Sequence, residues 1–376
     1  MANIAVIGGG IGGLTTALTL KHFGFEATVY EQSPAFREVG AAISVWPNAL
    51  RVYKALGFLD QVLANSGEFS EVFIRNASGK VLSRTKPSYE LPSICMHRAD
   101  LLNVLLQQVP AQQLKAGHKL VSFTRQQNKW LLQFENGHQS TCDLLIGADG
   151  INSVVRQQII NDGPPLYRGY NIWRGVAKLP LDTGYGSETL GKGARIGIVP
   201  IKDGQFGWWA AMNEPFGQSD EPEGTRSKLK QLFGDWHEPI PALFDRSEEI
   251  LKNPVGDRKP TRGWSRDKAV LLGDAAHPTT PNLGQGACMA IEGAWLLAAA
   301  LAKNGISDEA LNRYEALHFP RTKDVNENSL MIGKIGQQSG SFATALRNFV
   351  FSIMPSSLAI KQIDKYFGYD VTKVQV

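Results

Sequence analysis

Cysteine is scarce. The three at Cys95, Cys142 and Cys288 stand far apart, with no Cys-x-x-Cys spacing. That argues against a disulfide framework or a zinc site and fits a reducing cytoplasm; no metal is expected. Long apolar runs are also lacking: the most apolar stretch, Ala294 to Ala302, is too short to span a bilayer. The opening residues Met1 to Ile7 carry no basic region before their apolar run, so they read as a strand and not as a signal peptide. Charge of one sign is not in large excess. A formal net charge of +4 over 376 residues gives no reason to expect a nucleic-acid partner, and favours anionic ligands only slightly. Internal repeats and low-complexity segments are absent. With 43% hydrophobic and 20% charged residues the chain is an ordinary globular sequence, long enough for two domains.

What is present begins with the continuous apolar run Ile4 to Ile7, the pattern of a central strand in a parallel sheet. A glycine turn follows, then Leu14, Ala17, Leu18 and Leu20 at helical spacing up to Gly24, then a second strand from Ala27 to Tyr30 ending at Glu31. This is a βαβ unit. Ala99 to Val109 reads as a helix; Lys119 to Thr124, Lys129 to Phe134 and Ser140 to Leu144 read as short strands, with a hairpin turn at Asn136-Gly137. Leu144 to Gly147 is another buried strand. From Tyr170 to Met212 strand-like runs rich in tryptophan and glycine suggest a second, larger sheet, including Asn171 to Trp173, Arg195 to Val199 and Phe206 to Met212. Polar turns over Gln218 to Gly224 lead to a helical stretch with Leu229, Leu232 and Phe233. Ala269 to Leu272 returns to a buried strand before a long helix from Gly286 to Lys303. The tail from Phe342 to Tyr366 reads as a packed helical end interrupted at Pro355, with docking to a membrane surface or a partner as the lesser reading.

Three motifs carry chemistry. Gly8-x-Gly10-x-x-Gly13 follows a strand and opens a helix: the first glycine permits the tight turn, the second lets backbone N–H groups approach a pyrophosphate, and the third lets helix and strand pack closely. The helix N-terminus adds partial positive charge. Glu31, at the end of the next strand, can accept hydrogen bonds from ribose hydroxyls, and its charge disfavours a resident 2′-phosphate; FAD and NAD both fit. In the second motif the strand Leu144 to Gly147 delivers Asp149 into the turn Ala148-Asp149-Gly150, followed by Ser153 and Arg156. In the third, Ala269 to Leu272 delivers Gly273-Asp274, and Pro281-Asn282-Leu283-Gly284-Gln285-Gly286 opens the long helix as a further cradle for a phosphate or for the polar edge of a ring. Taken singly, either aspartate reads equally well as a helix cap or turn residue.

Together these motifs resemble the single-component FAD monooxygenases, the flavoprotein aromatic hydroxylases and related epoxidases, over Ile4 to about Tyr314. The resemblance implies an α/β fold: a Rossmann-like FAD-binding domain with an inserted α+β substrate domain on a mostly antiparallel sheet, plus C-terminal helices. Expected boundaries are 1–70, 93–165 and 262–330 for the FAD-binding domain, 71–92 and 166–261 for the substrate domain, and 331–376 for the C-terminal segment. It further implies non-covalent FAD held by Gly8, Gly10, Gly13, Glu31, Arg98, Asp149 and Asp274. Ala42, within Gly40 to Asn48, is expected beside the ring, with Pro281, Gly284, Gln285 and Gly286 at its polar edge. Members acting on salicylate-, hydroxynicotinate-, urate- and quinolone-like rings look similar, and Thr280 to Gly286 is most like the quinolone hydroxylases and carotenoid epoxidases. One departure is Gly293, where the family often has an acidic residue; it should cost the helix about 1 kcal/mol at most.

The chemistry so implied is transient reduction of FAD by NADH or NADPH, addition of dioxygen as a flavin C4a-hydroperoxide, and transfer of one oxygen to a small aromatic or heteroaromatic substrate, in a monomer or dimer. Epoxidation of an unsaturated substrate, or a dehydrogenase or reductase without oxygen insertion, is the alternative. Arg195 is the candidate catalytic residue, able to stabilise a phenolate or peroxide. Ile43, Phe206, Trp208, Pro281 and Asn282 are the candidate substrate pocket, and Trp173 and Trp209 could join it. Asn282 stands where urate-type relatives place a catalytic acid, which disfavours that reaction. His277 is expected to be structural and hydrogen-bonded beside Pro278.

Overall fold

Four parallel strands with continuous apolar sequences must be covered on both faces, and this decides the architecture. The computed structural model describes residues 2–36, 40–180, 184–220 and 224–376; the turn expected over Gln218 to Gly224 thus falls partly outside the described residues. The strands Ala269–Leu271, Leu144–Gly147, Ile4–Ile7 and Ala27–Tyr30 lie side by side and parallel, extended by Leu114–Lys115 at one edge and by antiparallel Ser265–Arg266 at the other. Their register places Ile7 beside both Tyr30 and Gly147, and Gly147 beside Leu271. The helices Ile11–His22, Arg98–Gln108 and Gly286–Asn304 belong to this core. So does a three-stranded meander over Leu120–Gln126, Lys129–Phe134 and Gln139–Cys142, through Phe123, Trp130, Leu132 and Phe134. Gly137 turns the predicted hairpin at a positive φ of 83°. Gly286–Asn304 is long and apolar enough to cross a membrane by composition, but it is largely buried as a core helix.

A seven-stranded sheet forms the second layer. Its order is Ser247–Asp257, Leu166–Lys178, Gln205–Asn213, Ala194–Pro200, Tyr185–Leu190, Glu71–Asn76 and Val81–Thr85, with one parallel pair between Tyr185–Leu190 and Glu71–Asn76. Alternation along these strands sorts the side chains onto two faces. Trp173, Ile196, Ile198, Phe206 and Trp208 pack against Leu229, Phe233, Leu243 and Phe244 of the helices Gly224–Phe233 and Ile240–Asp245. Ile172, Arg174, Arg195, Gly197, Val199 and Trp209 face a large cavity between the two sheets. A small sheet over Ala42–Val45, Ser93–His97 and Gly67–Phe69 joins the layers. A Cβ on Gly207 would lie 2.1 Å from that of Ala42, so only glycine allows this close approach.

Asp308–Gly336 runs for 29 residues, capped by Ser307. Beyond it the tail breaks at Pro355 into the helices Ser341–Ile353 and Ser356–Phe367. The expectation of a packed end holds for only one face of the first of these: Thr344 and Arg347 are buried, while Phe342, Leu346, Phe349 and Ile353 are exposed.

Candidate active site

The shared register carries three turns to one end of the parallel sheet: the chain leaves Ile7 into Gly8, Gly147 into Ala148-Asp149, and Leu271 into Leu272-Gly273-Asp274. Gly8 has a φ of +105°, donates its N–H to the Tyr30 carbonyl at 2.8 Å, and has no room for a Cβ, which would lie 2.3 Å from the Ala148 carbonyl oxygen. A Cβ on Gly13 would sit 1.9 Å from the Gly8 carbonyl oxygen, so the helix Ile11–His22 starts tight against the turn. Gly10 stands at its N-cap. Glu31 accepts from the N–H groups of Gly9 and Ser33, both at 2.8 Å, and holds its carboxylate at the mouth of the turn.

Asp149 accepts from the Ser153 hydroxyl at 2.5 Å and the Val154 N–H at 2.8 Å, capping the helix Val154–Ile159 while facing the cavity; burial pushes its pKa up. Asp274 lines the cavity as an exposed side chain between buried Gly273 and Ala275; the protein around its carboxyl raises its pKa by desolvation, and the nearby charge of Arg98 opposes the rise. Arg98 itself begins the helix Arg98–Gln108 and is anchored by its N–H to the Ala41 carbonyl at 3.1 Å. Arg156 ties the turns together. Its Nη1 donates to the carbonyls of Ala275 and Ala276 at 2.9 and 2.8 Å, while Nε and Nη2 grip Asp162 at 3.0 and 2.6 Å. Sequence reasoning placed Arg156 in the second motif but gave it no role; its position seven residues after Asp149 was the only signal.

At the long helix, Pro281–Leu283 forms a short turn, Gly284 adopts a φ of +63°, and Gly286 opens the helix toward the cavity. Trp46 donates its indole N–H to the Gly284 carbonyl at 3.0 Å and stacks on Phe367 with centroids 4.1 Å apart. Gln285 does not line the cavity. It is the N-cap of the helix, and its side chain turns inward, accepting from Asn48 at 2.9 Å; Asn48 also donates to Glu292, which Arg321 grips at 2.6 and 2.7 Å. The departure at Gly293 has a packing reason, since a Cβ there would lie 3.0 Å from His318 Nε2.

The opposite wall is the seven-stranded sheet. Of the expected pocket residues, Ile43, Pro281 and Asn282 line the cavity and Phe206 does not. Phe206 occupies the strand parity that faces the helices Gly224–Phe233 and Ile240–Asp245, so its ring is in the second core. Trp208 shares that parity: it reaches the lining, yet its indole N–H donates to Ser247 at 2.7 Å and its ring meets Phe244 edge-on. Trp173 is likewise turned away and donates to Asp220. Trp209 is the aromatic that faces inward.

Arg195 is almost fully buried, lines the cavity and is held on several sides. Nη1 pairs with Glu188 at 3.0 Å, Nε donates to Gln337 at 3.1 Å, Nη2 donates to Asn282, and the guanidinium lies 5.1 Å from the centre of the Trp209 ring. His277 does not line the cavity and, contrary to expectation, finds no hydrogen-bond partner for either ring nitrogen among the described residues. Burial pushes its pKa down to about 3, and it meets His318 edge-on at 5.0 Å. It is a neutral core residue.

The cavity encloses about 1410 Å³ and runs from Gly8 and Glu31 past Asp149 and Asp274 to Arg195, roofed by Met331, Ile335, Phe351, Met354 and Ile363 of the last helices. That exceeds what one drug-sized ligand needs. A glycine cradle without room for Cβ atoms, a carboxylate beside it and two further aspartate turns in the same groove fit an extended dinucleotide, with space left for a second small molecule.

Comparison with known proteins agrees. A family model described as an FAD binding domain matches residues 1–329. The chain is 39% identical to the aurachin C monooxygenase/isomerase of Stigmatella aurantiaca over 94% of each, and 32% identical to the 3-amino-4-hydroxybenzoate 2-monooxygenase of Streptomyces cremeus over 87% of this chain and 85% of that one. Its fold superposes on Klebsiella pneumoniae HpxO complexed with FAD and uric acid with a TM-score of 0.88, at 26% identity, covering 97% and 96% of the two chains. With its glycine cradle, its three converging turns and these relatives, the chain belongs to the FAD-binding-domain family of FAD-dependent monooxygenases.

Proposed function

We propose that this monooxygenase hydroxylates a small aromatic or heteroaromatic molecule whose oxygen substituent, ionised or hydrogen-bonded, is met by Arg195. The observation that carries the reading is a buried guanidinium on the wall facing the flavin turns, locked by Glu188, Gln337 and Asn282 and backed by Trp209. A charge so fixed favours the electron-rich, deprotonated form of a phenolic ring and orients it before reaction. The aromatic substrates in the relatives' names support the ring chemistry.

Bound FAD, reduced by NADH or NADPH, supplies the electrons by which one atom of dioxygen enters the ring and the other leaves as water. The protein's own groups do the rest. Gly8, Gly10 and the first turn of Ile11–His22 receive the pyrophosphate, with Gly13 keeping that turn closed and Glu31 taking the ribose. Arg98, Asp149 and Asp274 hold the middle of the cofactor; Ala42, Pro281, Gly284 and Gly286 border the ring, and Ile43 and Trp209 border the substrate. The apolar roof excludes water from the reacting atoms. Sheet membership supports the division into a discontinuous cofactor domain, an inserted substrate domain and a C-terminal segment. The three buried, free cysteines fit a reducing, cytoplasmic setting.

The test is a screen of phenolic and heteroaromatic compounds for faster NAD(P)H-driven flavin bleaching, followed by product analysis under labelled dioxygen. Arg195→Ala should retain FAD while kcat/KM for the best compound falls by about 10²-fold or more, on the scale of a lost charge-stabilising donor. Product without label, or an Arg195→Ala variant with unchanged kcat/KM, would refute the assignment.

A further inference from the structure

The helix Ser341–Ile353 has two apolar faces. One looks inward: Phe351 lines the cavity, Met354 continues that wall just past the last turn, and Arg347 fixes the helix by donating to the carbonyls of Gly336 and Gly191 at 3.0 and 2.9 Å. The other looks out. Phe342, Leu346, Phe349, Val350 and Ile353 recur at three- and four-residue spacing, which places them on one stripe, and Phe342, Phe349 and Ile353 are 82%, 60% and 61% exposed. A contiguous apolar stripe of this kind marks a contact surface.

Charge around the stripe selects the partner. No carboxylate occurs between Glu327 and Asp364, whereas the exposed Lys334 and Lys361 fall within that interval. Lys192 adds an exposed ammonium at the start of the helix, donating to the Ser341 hydroxyl at 3.0 Å. A symmetric contact between two copies of this face would offer these cations a helix with no acid to pair them. Anionic lipid headgroups offer the complementary charge, and acyl chains offer a medium for the phenylalanines.

We propose that the outward face of Ser341–Ile353 docks the enzyme on an anionic membrane surface. One helix then separates lipid from cavity, and the apolar rim at Met331 and Ile335, exposed and lining the cavity, lies next to the helix that touches the bilayer. The docking stands independently of which ring the enzyme oxidises.

The test is sedimentation of the FAD-loaded protein with vesicles of phosphatidylcholine, with and without phosphatidylglycerol, beside the double variant Phe349→Asp/Ile353→Asp. Both substituted side chains are exposed, so flavin content and light-scattering mass should match the wild type. The wild type should partition onto the anionic vesicles, more strongly at low salt, and the double variant should bind on the order of tenfold or more weakly. Three results would overturn the proposal: wild-type protein that stays in the supernatant with both vesicles, a double variant that sediments as well as the wild type, or a wild-type dimer that the substitutions convert to monomer.

Discussion

At the scale of single residues, the burial of two histidines sets a pH dependence. Burial holds His277 down to about 3 and His318 well below the ordinary histidine range, the latter also through its neighbour His277. Both groups are neutral when folded but take a proton near pH 6.5 once unfolded, so the unfolded chain binds more protons below that pH. Their stabilising contribution is complete above about pH 6.5 and is lost as pH falls toward 3. We expect His277→Leu to flatten the fall in Tm between about pH 6.5 and 4, with little change in flavin content; an unaltered pH profile would contradict this. The glycines show what a sequence discloses at this scale. The need for glycine at Gly8 and Gly13 was legible because the turn geometry demands it. Phe206 and Trp209 were not separable by type, since one residue of strand parity decides which faces the cavity, and that parity depends on which face the helices cover.

At the scale of elements, Arg156 fastens one motif to another. It belongs to the helix begun by Ser153 and Asp149, yet satisfies two carbonyls in the turn after Asp274. Arg156→Met keeps the length of the side chain but leaves those carbonyls without their donor and Asp162 with Arg258 alone, at 3.0 Å. The expected loss is about 2–4 kcal/mol, less than for a wholly enclosed pair because Asp162 is partly exposed. Chemical denaturation should show it, with weaker flavin retention alongside; a variant as stable as the wild type would contradict the clamp. Strands and core helices were readable in the sequence from apolar runs and glycine punctuation, to within a residue or two at Arg98–Gln108 and Gly286–Asn304. The tail was not. Helical spacing of Phe342, Leu346, Phe349 and Ile353 looks the same whether the stripe meets a core or the outside, and only the position of Phe351 and Arg347 settles which face is which.

At the scale of the molecule, the parallel sheet, the cavity and the last helices meet in one site, and ligand linkage follows. FAD binds the folded protein alone, so stripping the cofactor should lower Tm, and adding it back should raise Tm progressively with concentration. Equal Tm with and without FAD would show that the groove is not its site. The three converging turns were legible because each follows its own apolar strand in chain order. The surroundings of Arg195 were not, since Glu188, Asn282 and Gln337 come from a strand, a turn and a helix end that no local pattern connects. That arrangement has a mechanical result. The same guanidinium is bonded to the inner sheet and to Gln337, at the end of the long helix that hands the chain on to the outer pair. A guest that drew the guanidinium away from Gln337 would remove one tie between the sheet and the terminal helices, so that filling the chamber would be linked to how those helices are seated.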